Sequence, residues 1–197
     1  MTTATRALSS KGRQTRQAVE DAARTLFAER GFHGTTLADI TAAAGRSTAS
    51  FYRYFTDKED LLTALAEDFL SELVDLPSIG AGDDFFSSAV SVYWHKFRPN
   101  IGIMLAVDQL AATEARFALL QNRFRRFGMD IVAASVRRAQ QQGYAAELDP
   151  HHIALAIALL FERFTSVGLA AGLSDDAAVT TLSTIWKKTL YGELKEI

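Results

Sequence analysis

Only three prolines, Pro77, Pro99 and Pro150, interrupt the 197 residues of this chain, so long stretches run without a strong helix breaker. Between the prolines, apolar residues recur with the 3.6-residue period of an α-helix. In the segment 15–30, one such stripe consists of Val19, Ala22, Ala23, Leu26 and Phe27. No segment alternates convincingly with the two-residue period of a β-strand. We therefore predict an all-α fold.

Capping residues and glycines set the boundaries of the predicted helices. Helices are predicted over about 15–30, 36–43, 47–55, 56–76, 83–97, 100–112, 115–142, 150–172 and from 174 onwards. Thr35 or Thr36 caps the second helix, which stops at Gly45. The segment 78–82, of sequence SIGAG, is predicted to be a loop and is the best linker candidate in the chain.

The composition excludes several classes of protein. Because the chain has no cysteine, it cannot build disulfide frameworks, thiolate zinc sites, iron–sulfur centres or cysteine nucleophiles. No apolar run reaches the ~18–20 residues of a membrane span, and no apolar stretch follows the N-terminus as in a secretory signal. We therefore expect a cytoplasmic protein with no membrane partner.

The net charge of −2 hides an uneven distribution of charge along the chain. Residues 1–60 contain nine basic and seven acidic residues, which leaves twelve basic and sixteen acidic residues downstream. A basic N-terminal segment followed by an acidic remainder is typical of proteins in which one end binds a polyanion. Basic N-terminal segments also occur on proteins that bind nothing there, so this signal is weak on its own.

The most specific pattern in the chain covers residues 37–55. Leu37, Ile40 and Ala43 share one face of a short helix, and a second short helix follows the glycine at position 45. Two short helices joined by a glycine turn have the geometry of a helix-turn-helix. The second helix presents small and hydroxyl side chains, which let its backbone approach the major groove of DNA. The alternative is that these helices only pack together and their polar residues face solvent.

The sequence over about residues 13–65 resembles the tetracycline-repressor-like (TetR) family of transcriptional regulators. The resemblance rests on AARTLFAERGF at 22–32, TTLADI at 35–40, AGRS at 44–47, FYRYF at 51–55 and KEDLL at 58–62. In this family, three N-terminal helices bind operator DNA, and a variable all-α C-terminal domain dimerises and binds a small effector. The resemblance implies a DNA-binding domain over 1–56, called the head below, with 1–12 as a flexible arm. It also implies an effector-binding and dimerisation domain over 57–197, called the body below.

Carried over position by position, the resemblance implies DNA contacts for nine residues. The set comprises Thr36, Arg46, Ser47, Thr48, Ala49, Ser50, Tyr52, Tyr54 and Lys58. Thr36 would bond a phosphate through its hydroxyl and backbone N–H, and Lys58 would add charge at the start of the fourth helix. The four residues 47–50 would face base edges, with Thr48 as the best single candidate.

Several of these contacts have alternatives. Arg46 stands where the family usually has a small aliphatic residue, and Ala49 where glycine is frequent. Arg46 therefore either reaches a phosphate or points to water. Tyr52 and Tyr54 contact a phosphate or a thymine methyl, although Tyr52 is alternatively a packed core aromatic. A further set, Lys11, Arg13 and Arg16, either contacts phosphates or the minor groove or belongs to a disordered arm.

The last two helices are the predicted dimer interface, because a single helix-turn-helix reads too few base pairs and two heads are needed. Their apolar residues include small side chains that permit close approach. The interface residues predicted from this pattern are Ile157, Phe161, Leu182, Ile185 and Trp186. The alternative is that both helices only complete the core of one subunit.

The chain contains thirteen phenylalanines, most of them after residue 56. We predict an effector pocket lined by Tyr93, Trp94, Phe97, Met104, Phe124, Phe127, Phe161 and Phe164. Phe117 belongs to the same set. Plain core packing is the alternative for any one of these residues. The sequence does not identify the effector.

The remaining patterns argue against catalysis and against a metal site. The chain has no nucleophile elbow, phosphate-binding glycine loop, dinucleotide fingerprint or zinc-protease motif, so we predict no enzyme activity and no cofactor. His151 and His152 are adjacent, and adjacent residues of a helix point about 100° apart, which favours a solvent-facing role over metal ligation. We predict a ligand-responsive transcriptional repressor. The alternatives are an activator of the same fold or a helical interaction module.

Overall fold

The structure is a computed structural model, and it describes residues 9–74 and 85–192. These residues contain α-helices, one short 3₁₀ turn at Arg98–Asn100, and no strand. The helices are α1 Ser10–Arg30, α2 Leu37–Ala43, α3 Thr48–Phe51, α4 Lys58–Val74, α5 Phe85–Phe97, α6 Ile101–Ala111, α7 Ala115–Gln141, α8 Pro150–Ala170 and α9 Asp175–Tyr191. The prediction of an all-α fold is confirmed.

Two helix boundaries differ from the prediction. α1 begins at Ser10 rather than near Thr15, because the Ser9 hydroxyl accepts the backbone N–H of Gly12 and caps the helix there. Residues 10–12, which we assigned to a flexible arm, are therefore helical. α3 ends at Phe51 rather than at Phe55, and a turn follows in which the Tyr54 N–H donates to the Phe51 carbonyl. The predicted loop 78–82 lies outside the described residues.

The apolar interior consists of two clusters. The first contains residues of α1, α2, α3, α4, α6 and the first half of α7, together with Phe97 at the end of α5. Within it, Phe27, Phe51 and Phe69 are almost completely buried. The second contains residues of α5, the second half of α7, α8 and α9. Because the first cluster includes residues on both sides of position 56, the three N-terminal helices share a core with the body. The domain boundary at 56 stays a prediction.

The helices α1 and α6 approach each other very closely at Gly102. A Cβ atom at this position would lie 2.4 Å from the backbone nitrogen of Ala28 and 2.7 Å from the Ala28 Cα. Beside this crossing, the guanidinium of Arg24 on α1 donates to the side-chain oxygen of Asn100, just before α6. Asn100 is buried and also donates to the Lys96 carbonyl. The body therefore holds the first helix of the head through direct backbone packing.

Four of the five predicted interface residues are buried within the single chain, which favours the alternative that they complete the core of one subunit. Trp186 is 2% exposed, and its indole N–H donates to the Ser135 hydroxyl on α7. Ile157, Phe161 and Leu182 belong to the same buried cluster. They form the core of one subunit because α7, α8 and α9 pack their most apolar faces against one another. Only Ile185 of the five lies on the outer surface, at 39% exposure.

α8 is the one described helix that is long and apolar enough to cross a membrane by length and composition, with a mean hydropathy of 1.7 over its most apolar stretch. Glu162 and Arg163 interrupt its apolar residues, so α8 passes this test by its average hydropathy rather than through an uninterrupted apolar run. About 28% of that stretch is buried within the chain. A core helix of a protein outside a membrane passes the same test, so this is weak evidence for a span. The outer face of α8 carries exposed Leu155, Leu159 and Val167.

Candidate functional site

The helix-turn-helix is built from α2, the turn at Gly45, and α3. Gly45 has a φ of 61°, in the left-handed region that glycine adopts without a steric penalty. The hydroxyl of Ser47 accepts the Ser50 N–H and so caps α3. Phe51 is completely buried and anchors α3 to the first core cluster. These local features point the opposite side of α3 toward solvent.

The outward side of α3 carries the residues expected to face base edges. Ser47, Thr48 and Ala49 are exposed, and Ser50 is half-buried with its hydroxyl 3.0 Å from that of Ser47. Tyr52 is 60% exposed and meets the Phe51 ring edge-on, so it is not the packed core aromatic of the alternative. The small side chains leave the backbone of α3 open to close approach.

A polar cleft lies beside α3, between the start of α1 and the turn of the helix-turn-helix. Three basic residues line it, Lys11 from α1, Arg46 from the turn and Arg53 after α3, and no acidic side chain does. Tyr54 also lines the cleft while its ring packs half-buried against the first core cluster. The Arg46 guanidinium donates to the Gly45 carbonyl and remains exposed. The cleft can therefore hold an anion such as a backbone phosphate.

Thr36 caps α2, as the sequence predicts for Thr35 or Thr36, and its phosphate contact stays a prediction. Its backbone N–H and its hydroxyl both donate to the Asp39 carboxylate, at 2.9 Å and 2.6 Å, while the Asp39 N–H donates back to the hydroxyl. This is a capping box at the start of α2. The bonds from Thr36 hold the pKa of Asp39 below its usual value, so the carboxylate stays charged. A phosphate at Thr36 would meet that negative charge.

Lys58 is mainly a structural residue rather than a free charge at the start of α4. Its ammonium donates to the backbone carbonyls of Phe32 and Thr35, both at 2.7 Å, and lies 4.1 Å from the centre of the Phe32 ring. Burial lowers the pKa of Lys58 below its ordinary value. Two of the three N–H donors are therefore occupied, which leaves one for a phosphate.

Replacement of Lys58 by methionine is expected to lower the free energy of unfolding by about 1–3 kcal/mol. Methionine keeps the apolar stem but leaves the carbonyls of Phe32 and Thr35 without these donors. Urea unfolding followed by circular dichroism measures the change. The matched control is Lys187→Met, at an exposed position of α9. Equal stability of the Lys58 and Lys187 variants would show that the two carbonyl bonds contribute nothing.

The basic residues near the start of α1 divide into two groups. Lys11 lines the polar cleft. Arg16 instead donates to Glu20 one turn along the helix, at 2.6 Å, and lies over the Phe55 ring. Arg16 therefore links α1 to the segment after α3, and the hydrogen bond that it donates to Glu20 raises the pKa of its guanidinium.

The body contains two adjoining cavities. The inner cavity, of about 80 Å³, lies among α4, α5, α6, α7, α8 and α9 and is almost entirely apolar. The outer cavity, of about 230 Å³, lies among α5, α6, α7 and α8 and has a mixed lining. The two share a wall made of Tyr93, Phe97, Met104, Phe124, Arg125 and Glu162.

Six of the eight residues predicted to line a pocket face the inner cavity. They are Tyr93, Phe97, Met104, Phe124, Phe127 and Phe161. Trp94 does not line either cavity, because it is fully buried in the second core cluster and its indole N–H donates to Asp175 on α9. Phe164 is absent from both linings and packs against the second cluster. Phe117 is fully buried in the first.

The polar residues of the cavity wall were not found by sequence reasoning. Arg125 on α7 and Glu162 on α8 form a bidentate ion pair with two N···O distances of 3.0 Å. The hydroxyls of Tyr93 on α5 and Thr165 on α8 lie 3.1 Å apart. No sequence spacing joins these residues, because each pair connects different helices. Glu162, which together with Arg163 interrupts an apolar stretch of α8, was the available signal.

His151 and His152 do not form part of a metal site in the described residues, where no group of three metal-ligating side chains lies close together. Both imidazoles are exposed, and their ring centres lie 6.4 Å apart. The Asp149 carboxylate accepts the backbone N–H of each histidine and caps α8.

Comparison with known proteins assigns the head to a family. Residues 20–65 match the sequence family described as bacterial regulatory proteins of the tetR family. The HTH-type transcriptional regulator EthR of Mycobacterium tuberculosis is 27% identical over 182 residues, covering 87% of this chain and 84% of EthR. The HTH-type transcriptional repressor KstR2 of Rhodococcus jostii is 45% identical over 53 residues, covering 27% of this chain and 26% of that protein.

The whole fold has solved counterparts. The ketosteroid transcriptional regulator KstR2 of Mycobacterium tuberculosis superposes with a TM-score of 0.66 at 18% identity, covering 95% of this chain and 98% of that one. At this level of identity the likeness concerns the fold alone. It extends over the helix-turn-helix and the helical body together.

Proposed function

We propose that this chain is a transcriptional regulator of the TetR family, whose sequence model its head matches over residues 20–65, and that it acts as a ligand-responsive repressor. It binds a palindromic operator in the cytoplasm as a homodimer, and a small apolar or aromatic effector releases it. The main observation in favour of DNA binding is that the outward side of α3 and the basic cleft are both open to solvent. The name of the relative KstR2 as a repressor supports repression over activation.

The proposed DNA contacts divide into base contacts and phosphate contacts. Thr48 and Ala49 meet base edges in the major groove, with Ser47 and Ser50 at the border of this surface. Phosphates are held by the cations of the cleft, Lys11, Arg46 and Arg53, and by the exposed hydroxyl of Tyr52. Tyr54 lines the cleft beside these residues. Lys58 stabilises the turn after α1 by donating hydrogen bonds to the carbonyls of Phe32 and Thr35.

The proposed dimer interface is the outer face of α8 and α9. This face carries Leu155, Ala156 and Val167 on α8 and Ile185 on α9, all exposed in the single chain. Exposed apolar side chains on adjacent helices mark an interaction surface. A second copy of the chain that packs there forms a four-helix bundle and sets the distance between two heads.

The proposed effector site is the pair of cavities. Met104 of α6 lines both cavities, while Ile103 and Ala106 on the same helix pack in the first core cluster with α1 and α4. An effector that displaces α6 therefore changes the packing of α6 against α1 and α4. A coupling of ~1–3 kcal/mol weakens operator binding by about 5–150-fold.

Selection of binding sites from a randomised DNA duplex pool tests the DNA proposal. We expect an inverted repeat with half-site centres about 34–36 Å apart. Thr48→Ala should change the preferred bases. Arg53→Ala should weaken binding to all duplexes alike and reduce the slope of log K against log salt concentration by about 2 per dimer, one phosphate contact for each head.

Arg137→Ala, at an exposed position of α7, is the matched control for loss of one positive charge. It should leave both the selected sequence and the salt slope unchanged. Recovery of no common sequence from the pool would contradict the proposal. A Thr48 variant that keeps the parental base preference would place base recognition elsewhere.

A further inference from the structure

The two cavities form one site with an apolar inner part and a polar outer part. A molecule that occupies both must lie against their shared wall, which contains the Arg125–Glu162 ion pair and Tyr93. The charges and hydrogen-bonding groups of this wall therefore decide which chemical class fits.

The charges in the wall are already paired. The Arg125 Nε and one terminal nitrogen donate to the two carboxylate oxygens of Glu162, and the side chains are only 21% and 31% exposed. A ligand carboxylate would compete for Arg125 and leave Glu162 without its partner. A ligand ammonium would compete for Glu162 and leave Arg125 without its partner. Removal of one partner from a shielded ion pair is costly, so either ionised group is disfavoured.

The rim of the outer cavity is also balanced in charge. Its remaining charged residues are Asp108 on α6 and Arg163 on α8, both exposed and of opposite sign. The Gln121 side-chain amide donates to the Asp108 carboxylate. The complete lining thus holds two guanidinium groups and two carboxylates, and this balance attracts neither an anion nor a cation.

A buried hydroxyl pair supplies an unused hydrogen-bond donor. The Tyr93 and Thr165 oxygens are 3.1 Å apart, and Thr165 is 1% exposed. Only one O–H can lie between two hydroxyl oxygens, so the other O–H has no acceptor in this pair. Among the described residues neither side chain makes another hydrogen bond, and both line the outer cavity. Burial raises the pKa of Tyr93, so its hydroxyl keeps its proton.

We propose that the effector is an uncharged, elongated apolar molecule with a carbonyl oxygen, such as a ketone, ester or amide. Its apolar part fills the inner cavity, and its carbonyl accepts a hydrogen bond from the Tyr93–Thr165 pair. This inference rests on the proposed function, in which the cavities hold the effector.

Three probes of similar length and different head group test the proposal: 2-undecanone, decanoate and decylammonium. Their binding to the full chain is measured by isothermal titration calorimetry below their micelle concentrations. The ketone should bind at least tenfold more tightly than either ion. Tighter or equal binding of decanoate or decylammonium would overturn the proposal, as would no binding of the ketone.

Two variants test the residues. Tyr93→Phe should weaken ketone binding by about fivefold, because one neutral hydrogen bond is lost. Ser166→Ala, which removes another hydroxyl of the outer cavity, should leave it within twofold. Glu162→Gln should improve decanoate binding by about tenfold, because Arg125 is then free. Unchanged ketone binding in Tyr93→Phe would contradict the proposed hydrogen bond from Tyr93 to the carbonyl. Unchanged decanoate binding in Glu162→Gln would contradict the proposed exclusion of anions by the Arg125–Glu162 pair.

The same titrations with operator DNA present separate this inference from the proposed function. If the ketone binds as expected but the DNA complex stays intact, the proposed release by an effector is contradicted. The proposed ligand class of the cavities is then still supported. Sequence-specific DNA binding with no ketone binding would contradict the cavity chemistry and leave DNA recognition standing.

Discussion

Replacement of Gly102 by alanine is expected to lower the free energy of unfolding by about 3 kcal/mol, at the upper end of the cost of overpacking. The new Cβ would lie 2.4 Å from the Ala28 nitrogen and 2.7 Å from both the Ala28 Cα and the Phe27 carbonyl carbon. These are backbone atoms in the last turn of α1, so no side-chain rotation relieves the clash. Relief requires α6 to move away from α1. Urea unfolding measures the loss of stability.

Gly128→Ala is the matched control, because Gly128 also lies within a helix and a Cβ there meets no atom within 4 Å. Alanine at this position should be neutral or stabilise the protein by up to about 1 kcal/mol through its higher helix propensity. If Gly102→Ala were as stable as Gly128→Ala, the close crossing of α1 and α6 would not exist in solution.

The double variant Val167→Arg with Ile185→Arg is expected to be a folded monomer with operator affinity reduced at least 100-fold. Both side chains are exposed in the single chain, so the substitutions leave its core intact. Like charges on the proposed interface repel the second copy. Each head then binds alone and loses the 10²–10⁴-fold advantage of two linked heads. Analytical ultracentrifugation and DNA titration measure the two effects.

Leu119→Arg is the control for an added charge at an exposed apolar position, because Leu119 is 67% exposed on α7 and is not part of the proposed interface. It should remain dimeric and bind operator like the parent. Trp186→Glu should instead unfold the chain, since Trp186 is buried and bonded to Ser135. A dimeric Val167/Ile185 variant with full operator affinity would place the interface elsewhere.

The DNA-binding head was largely predictable because its signals are local. Gly45, the Ser47 cap and the apolar face ending in Phe51 lie within a few residues of one another, so sequence spacing fixes their relative positions. The resemblance over 13–65 identified the family that the comparisons then supported. The contact roles of Thr48 and its neighbours stay predictions, although the structure exposes them as those roles require.

Two polar residues of the head, Thr36 and Lys58, differ in how far their bonding partners could be predicted from sequence spacing. The cap by Thr36 could be predicted because its partner Asp39 lies only three residues away, while the phosphate contact of Thr36 stays a prediction. Lys58 reaches carbonyls 23 and 26 positions earlier, a contact that only the packing of α4 on the turn after α1 creates.

For the body, the periodicity of the sequence by itself determined the helices and which residues are apolar, because a helix repeats over short distances. It did not determine which apolar face is covered by the same chain. Trp186 lies inside the subunit and Ile185 outside, although both are apolar neighbours on α9. That distinction, the bond between Tyr93 and Thr165, and the pairing of Arg125 with Glu162 were decided only by tertiary structure, since each depends on the rotation and separation of whole helices.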